Sequence, residues 1–181
     1  MNGEKITGVR LGGSGGQGVI LCSVILARAA LAAGHYAAQS QSYGPEARGG
    51  SCKAETVISD APIDYPKVGK SDVFLALTQS AMEKYLAQCA PGSLLILDEG
   101  LTPPEGTDLR VRTYPILSTA AETLGKPMVA NIVAAGILGK TLALFDDAVL
   151  ERAVLASVPK GTEDLNRRAL EAGFALFAAE R

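Results

Sequence analysis

The chain has 181 residues, 48% of them apolar and 20% charged, enough apolar material for one sizeable core and too much for intrinsic disorder. Seventeen basic against nineteen acidic side chains leave a formal charge of −2, which offers no strong basic field to a nucleic acid or a membrane surface. Aromatic residues reach only 5%, with no Trp, which argues against a base-stacking platform.

Ile6 to Leu11 reads as a first strand, and the glycine-rich stretch Gly12 to Gly18 as a turn. Val19 to Ala33 reads as a helix, stopped by Gly34 in the C′ position. Tyr36 to Gln41 and Ala54 to Ser59 are the next strand candidates, and the short apolar run Val73 to Leu77 is a buried one. Ser80 to Cys89 has helical spacing; Pro91-Gly92 then turns the chain into a strand over Ser93 to Leu97. Arg110 to Tyr114 is a further strand. Helical patterns follow at Leu117 to Leu124, Ile132 to Leu144, Ala148 to Ser157 and Leu165 to Ala179, the last capped by Thr162.

This rhythm predicts a three-layer α/β/α fold with a mainly parallel, Rossmann-like sheet. No stretch looks like an interdomain linker, so residues 1–181 are read as a single domain. The loops are placed at 42–52, 60–70 and 99–109.

Gly13-Ser14-Gly15-Gly16-Gln17-Gly18 fits G-x-G-x-x-G between strand and helix. Glycines let the backbone turn tightly and approach a ligand, and the N–H groups at the helix start favour an anion. A nicotinamide-dinucleotide site also needs an acid about twenty residues on; between Lys5 and Pro45 there is no Asp or Glu. The loop lacks the Lys-Ser/Thr of a triphosphate P-loop. Two readings stay open: contact with an anionic ligand, or close packing of helix, strand and partner subunit. Gly15→Val or Gly18→Val is expected to disrupt the turn in either case.

Ser42-Tyr43-Gly44-Pro45-Glu46-Ala47-Arg48-Gly49-Gly50-Ser51 puts a phenol, a carboxylate and a guanidinium within six positions of a Gly/Pro-framed loop. Such groups serve recognition, Arg48 suiting a phosphate or carboxylate through its planar fork; a Glu46–Arg48 pair that only shapes the loop is the alternative.

Cys22, Cys52 and Cys89 have no CxxC spacing and cannot alone hold an iron–sulfur cluster or a structural zinc. Their odd number suits a reducing cytoplasm. His35 is the single histidine and is read as a surface or packed residue without catalytic duty. Met1 to Lys5 has no signal-peptide pattern, and no apolar run is long enough to span a bilayer. The chain is therefore expected to be cytoplasmic, with no membrane partner, no nucleic acid and no metal.

The GGQG turn, the motif Ser-Tyr-Gly-Pro-Glu-Ala-Arg-Gly-Gly at 42–50, Ile58-Ser59 with Ile63-Asp64-Tyr65-Pro66, and Asn131 occur here in an order and spacing that resemble the gamma subunit of 2-oxoacid:ferredoxin (acceptor) oxidoreductases, from about residue 6 to about 175. The wording of the loop and of Asp64-Tyr65-Pro66 is most similar to the 2-oxoglutarate branch. The resemblance implies an assembly that oxidatively decarboxylates a 2-oxoacid, passes the acyl group to coenzyme A and sends electrons to ferredoxin. Thiamine diphosphate would lie between the alpha and beta subunits, and iron–sulfur clusters in the beta subunit or a ferredoxin-like delta subunit. The gamma chain would hold no catalytic residue and no cofactor alone. Its candidate ligand-binding residues are Gly13, Gly15, Gly16, Gln17, Gly18, Tyr43, Glu46, Arg48 and Asn131, lying near the coenzyme A route; Asn131 alternatively caps its own helix. The other readings are a stand-alone module for a nucleotide-like cofactor and the corresponding subunit of indolepyruvate oxidoreductase.

Overall fold

A computed structural model describes residues 5–42 and 51–179. Six strands form one sheet: β1 (Ile6–Ser14), β2 (Tyr36–Ser42), β3 (Ser51–Ser59), β4 (Ser71–Ala76), β5 (Cys89–Asp98) and β6 (Arg110–Tyr114), in the order β2-β3-β1-β4-β5-β6. The helices are α1 (Val19–Ala32), α2 (Gln79–Tyr85), α3 (Ile116–Ser118), α4 (Ala130–Leu142), α5 (Asp147–Leu155) and α6 (Glu163–Ala179).

β1, β4, β5 and β6 run parallel, as the alternating pattern predicts. β3 departs from it, pairing antiparallel with both β1 and β2. The reason is chain length. Residues 43–50 alone join β2 to β3, and a parallel crossover needs a dozen or more residues.

Alternation along the strands builds two cores. On one face Val9, Leu11, Val73, Leu75, Leu94 and Ile96 meet α1, α4, α5 and α6. On the other, Phe74, Ala76, Leu95 and Leu97 meet Ala81, Met82 and Tyr85 of the short α2, where the Phe74 and Tyr85 rings pack edge to face, 6.5 Å between centroids. These are the three expected layers, with the α2 side thinner. α4 is buried on all sides from Ala130 to Gly139, which suits its Ala/Ile/Val sequence.

Several boundaries differ from the sequence reading. β1 runs on through Gly12 and Gly13 to Ser14, because β3 supplies a partner for each residue. β5 begins at Cys89 and passes through Pro91-Gly92, which forms no separating turn; Gly92 takes φ 68° and the β4–β5 register shifts between Ser71 and Val73. In place of a helix over 117–124, a single α-helical turn covers Ile116–Ser118, and Thr119–Thr123 continues as a π-type turn. Thr162 does not cap α6 through its hydroxyl, which donates to the Pro159 carbonyl at 2.7 Å and accepts from Asn166 Nδ2 at 3.0 Å. Gly34 does stop α1, with φ 90°.

Candidate functional site

β1 leads into α1, β2 and β3 on one side, while β4 leads through α2 to β5 on the other. The carboxyl ends of β1 and β4 therefore flank a topological switch point, where open α/β sheets place their ligands. The glycine turn sits there. Its backbone closes with Gln17 N–H donating to the Ser14 carbonyl at 3.2 Å. The Gln17 side chain folds back as well, Oε1 accepting from Ser14 N–H at 2.7 Å. Gln17 thus shapes the turn with its own carbonyl.

The turn's glycines divide by what surrounds them. Gly13 lies in β1, where a Cβ would stand 2.7 Å from Gln17 Oε1 and 3.0 Å from Val19 Cγ1. Gly18 has φ 72°, and a Cβ there would meet Asn131 Nδ2 at 2.5 Å. At Gly15 and Gly16 no atom of the described residues lies within 4 Å of a Cβ, and Gly16 has φ 94°. The positive φ that demands glycine thus belongs to Gly16 and Gly18 and not to Gly15. This corrects the expectation for Gly15→Val: its backbone needs no positive φ, and none of the described residues crowds a side chain at that position.

Asn131 does not cap α4. It lies inside the helix, buried, and its Nδ2 donates to the Gly18 carbonyl at 3.2 Å. The same carbonyl accepts from Cys22 N–H at 3.0 Å, the first turn of α1. Asn131 therefore pins the start of α1 to the start of α4. No side chain caps α1 and no acid lies in its first turn, so its leading N–H groups stay directed at whatever occupies the space before them.

A cleft of about 440 Å³ lies at the turn, lined by Gly15, Gly16 and Gly18 together with Ile20, Leu21, Val24 and Cys52. It combines backbone donors with an apolar wall and accommodates an anionic group attached to a flexible apolar arm. Cys52 is not poised for nucleophilic work. Burial pushes its thiol up, as it does those of Cys22 and Cys89, and a protonated thiol acts as a small apolar group.

Tyr43, Glu46 and Arg48 lie outside the described residues. Their flanks are placed: Ser51 pairs with Ser14 across the β1–β3 ladder and Ser42 pairs with Lys53. The segment therefore leaves and re-enters the sheet beside the glycine turn. His35 sits away from it, Nδ1 2.9 Å from Asp60 Oδ1 and Nε2 3.1 Å from the Leu144 carbonyl, joining β2, β3 and the end of α4.

The sequence reading missed a buried ion pair. Arg10 and Glu55 face each other across the β1–β3 ladder, with Arg10 Nε and Nη2 each 2.8 Å from Glu55 Oε1. Arg10 also donates to the carbonyls of Gln88 at 2.8 Å and Val68 at 2.9 Å, and Lys53 Nζ donates to Glu55 Oε1 at 3.0 Å. The signal lay in two oppositely charged residues within adjacent apolar strands. Among the described residues, no three His, Cys, Asp or Glu side chains converge to hold a metal ion, and no helix is long and apolar enough to cross a membrane.

The pattern of the family described as pyruvate ferredoxin/flavodoxin oxidoreductase matches residues 8–176. The chain is 46% identical over 171 residues to 2-oxoglutarate synthase subunit KorC of Methanocaldococcus jannaschii, covering 92% of this chain and 91% of that protein. The keto/oxoacid ferredoxin oxidoreductase gamma subunit of Geobacter sulfurreducens has the same fold, with 40% identity and a TM-score of 0.88 over 97% of this chain and 98% of that one. The 2-oxoglutarate:ferredoxin oxidoreductase of Magnetococcus marinus, solved with 2-oxoglutarate, coenzyme A and succinyl-CoA bound, shares the fold at 22% identity and a TM-score of 0.85; the match spans 97% of this chain and 31% of that chain.

Proposed function

The chain belongs to the pyruvate ferredoxin/flavodoxin oxidoreductase family, and from that premise we propose that it works as the gamma subunit of a 2-oxoglutarate:ferredoxin oxidoreductase. The observation that carries this reading is the likeness along nearly the full length to the KorC subunit and to a gamma subunit of the same fold. The whole chain acts as one gamma-type domain in the cytoplasm, assembled with alpha and beta subunits, or a delta subunit besides, and through them with ferredoxin.

The described residues gather no ligand set for an iron–sulfur cluster or for the metal of a thiamine diphosphate site. The part we assign to this chain is binding and positioning. Coenzyme A fits the cleft at the glycine turn: amide donors at Gly15, Gly16 and the start of α1 face an anionic group, and Ile20, Leu21 and Val24 face an apolar arm. Gly13, Gln17, Gly18 and Asn131 serve this contact by holding the turn in shape. Tyr43, Glu46 and Arg48 meet coenzyme A or the neighbouring subunit from the segment that joins β2 to β3.

Two measurements test this. Purified alone, the chain should contain no stoichiometric iron and should not reduce viologen with 2-oxoglutarate and coenzyme A. Combined with its alpha and beta subunits it should, with 2-oxoglutarate preferred over pyruvate and indolepyruvate. Turnover by the isolated chain, or by the complex lacking it, refutes the subunit reading.

The second uses the contrast among the glycines. Gly15→Ala should leave the melting temperature unchanged, because Gly15 has no positive φ and, among the described residues, no atom lies within 4 Å of a Cβ there. It should raise the coenzyme A KM of the assembled enzyme several-fold by pushing the ligand off the turn. Gly18→Ala should instead destabilise the chain by about 2–3 kcal/mol, through left-handed strain of about 1–2 kcal/mol and collision with Asn131. A Gly15→Ala enzyme with an unaltered coenzyme A KM removes the turn from the coenzyme A route.

A further inference from the structure

Tyr85 closes α2 and belongs to the core with Phe74, Ala81 and Met82. A phenylalanine would fill that place equally well, so the hydroxyl calls for a separate account. It donates to the Ser51 carbonyl at 3.3 Å. Ser51 is the first residue of β3 and the last rung of the β1–β3 ladder. It stands there opposite Ser14, whose N–H and carbonyl both bond to Gln17 within the glycine turn. The β2–β3 ladder ends at Ser42 and Lys53, so among the described residues Ser51 has no rung in β2. A second tie comes from the same helix, Ser51 Oγ lying 3.4 Å from Ser80 Oγ. The next residue of β3, Cys52, turns to the opposite face and lines the cleft at the turn. One face of this strand end is thus fastened by α2 while its other face walls the cleft. The Tyr85 ring is itself held. Lys53 and Lys84 each place Nζ 5.6 Å from its centroid, and Lys53 reaches Glu55 Oε1 at 3.0 Å, joining the ring to the buried Arg10–Glu55 pair. Burial pushes the phenol up from its ordinary value, so it stays protonated and donates at neutral pH.

We propose that Tyr85 is a positioning residue for the coenzyme A site: through the Ser51 carbonyl its hydroxyl sets the end of β3, and with it Cys52 in the cleft wall and Ser14 at the foot of the glycine turn. The proposal rests on the reading of the glycine turn as the coenzyme A contact. The end of a strand opens more readily than its middle, because fewer backbone bonds hold it, so one added bond there has most to do. The backbone donors of the cleft belong to the turn and the start of α1, whereas Cys52 belongs to β3. A ligand that touches both depends on how the two are spaced, and a small misplacement weakens it. Tyr85 does not itself line the cleft. Its influence therefore falls on the binding of coenzyme A and not on the reacting atoms.

Tyr85→Phe tests this, since it keeps the ring, its edge-to-face contact with Phe74 and both lysines, and removes the hydroxyl alone. In the assembled enzyme it should raise the coenzyme A KM about fivefold, the equilibrium equivalent of one ordinary hydrogen bond. The kcat and the 2-oxoglutarate KM should stay at their native values, and so should the melting temperature of the isolated chain. Hydrogen exchange gives a readout that needs no ligand. In the isolated variant the amides of Cys52 and Lys53 should exchange several-fold faster, while those of α1 and α4 keep their native rates. Native exchange at the start of β3, or a native coenzyme A KM, overturns the proposal. So does a lowered melting temperature with faster exchange throughout the chain, which makes Tyr85 a core residue and nothing more. Gly15→Ala measured alongside separates the two readings. A native coenzyme A KM in both variants defeats the turn as the coenzyme A contact and this proposal with it. A raised KM in Gly15→Ala beside a native one in Tyr85→Phe defeats the role of Tyr85 alone.

Discussion

Arg10→Leu is expected to destabilise the chain by about 3–5 kcal/mol at pH 7, the cost of stranding one member of a buried ion pair. Glu55 would stay in place, its side chain 4% exposed, with Lys53 as its remaining cation. The carbonyls of Gln88 and Val68 would lose donors at 2.8 and 2.9 Å. Replacing both Arg10 and Glu55 by leucine should therefore restore only part of the loss, since those carbonyls stay unsatisfied.

The pH dependence separates this account from simple loss of packing. In the native chain burial acts to raise the Glu55 carboxyl, but Lys53 and Arg10 together overcome it and hold it below the ordinary carboxylate range. A folded pKa below the unfolded value of about 4.3 means fewer protons bound when folded. Its stabilisation is then in full force at neutral pH and drains away as pH falls below about 4.3. Without Arg10, burial is opposed by Lys53 alone, and the variant loses that advantage. The stability gap between native and Arg10→Leu chains, read from urea unfolding, should be several kcal/mol at pH 7 and clearly narrower at pH 4. A gap below 1 kcal/mol at both pH values would mean that the pair contributes no more than an exposed one.

Arg10 also shows where the sequence stops informing. Within Ile6 to Leu11 it reads as a polar member of an alternating strand, and alternation does not say which face is dry. That depends on α2 and the 60–70 segment closing over the far side of the sheet, a tertiary matter. The antiparallel β3 was not legible, because the strands read from the sequence, Tyr36 to Gln41 and Ala54 to Ser59, leave twelve residues between them, and only the structure shortens the connection to eight, too few for a crossover helix. The helix after the glycine turn was plain, bounded by Gly18 and Gly34 with an apolar run broken only by Ser23 and Arg28 between them. The turn itself was legible as a motif, but the separate tasks of its glycines were not. They depend on Gln17 folding back within the turn and on Asn131, 113 residues away from Gly18, arriving from another helix. Spacing announces that a backbone comes close to something; only packing says to what.

Gly173→Ala is expected to cost about 1–2 kcal/mol net although it places a better helix former in the middle of α6. Propensity alone favours the change by about 0.8–1.0 kcal/mol. Against that, a Cβ at 173 would run into the Val133 carbonyl oxygen and stand 3.0 Å from the Gly136 Cα, while one at 136 would lie 2.6 Å from the Leu170 carbonyl oxygen. These neighbours are backbone atoms of two packed helices. They cannot rotate away, so α4 and α6 must move apart, and overpacking of a tight core costs about 1–3 kcal/mol or more. Gly139 of the same α4 supplies the comparison. There the obstacle is the Leu150 Cδ2 methyl, the far end of a flexible side chain, and Gly139→Ala should lie within about 1 kcal/mol of the native stability. The effect should also reach the site. α4 carries Asn131, whose amide holds the Gly18 carbonyl, so displacing α4 loosens the glycine turn. The assembled Gly173→Ala enzyme should therefore show a raised coenzyme A KM, and the Gly139→Ala enzyme a normal one. Calorimetric melts of the two variants beside coenzyme A saturation curves decide the matter. A Gly173→Ala chain more stable than the native one would show that helix propensity outweighs the contact, and that α4 and α6 do not meet backbone to backbone.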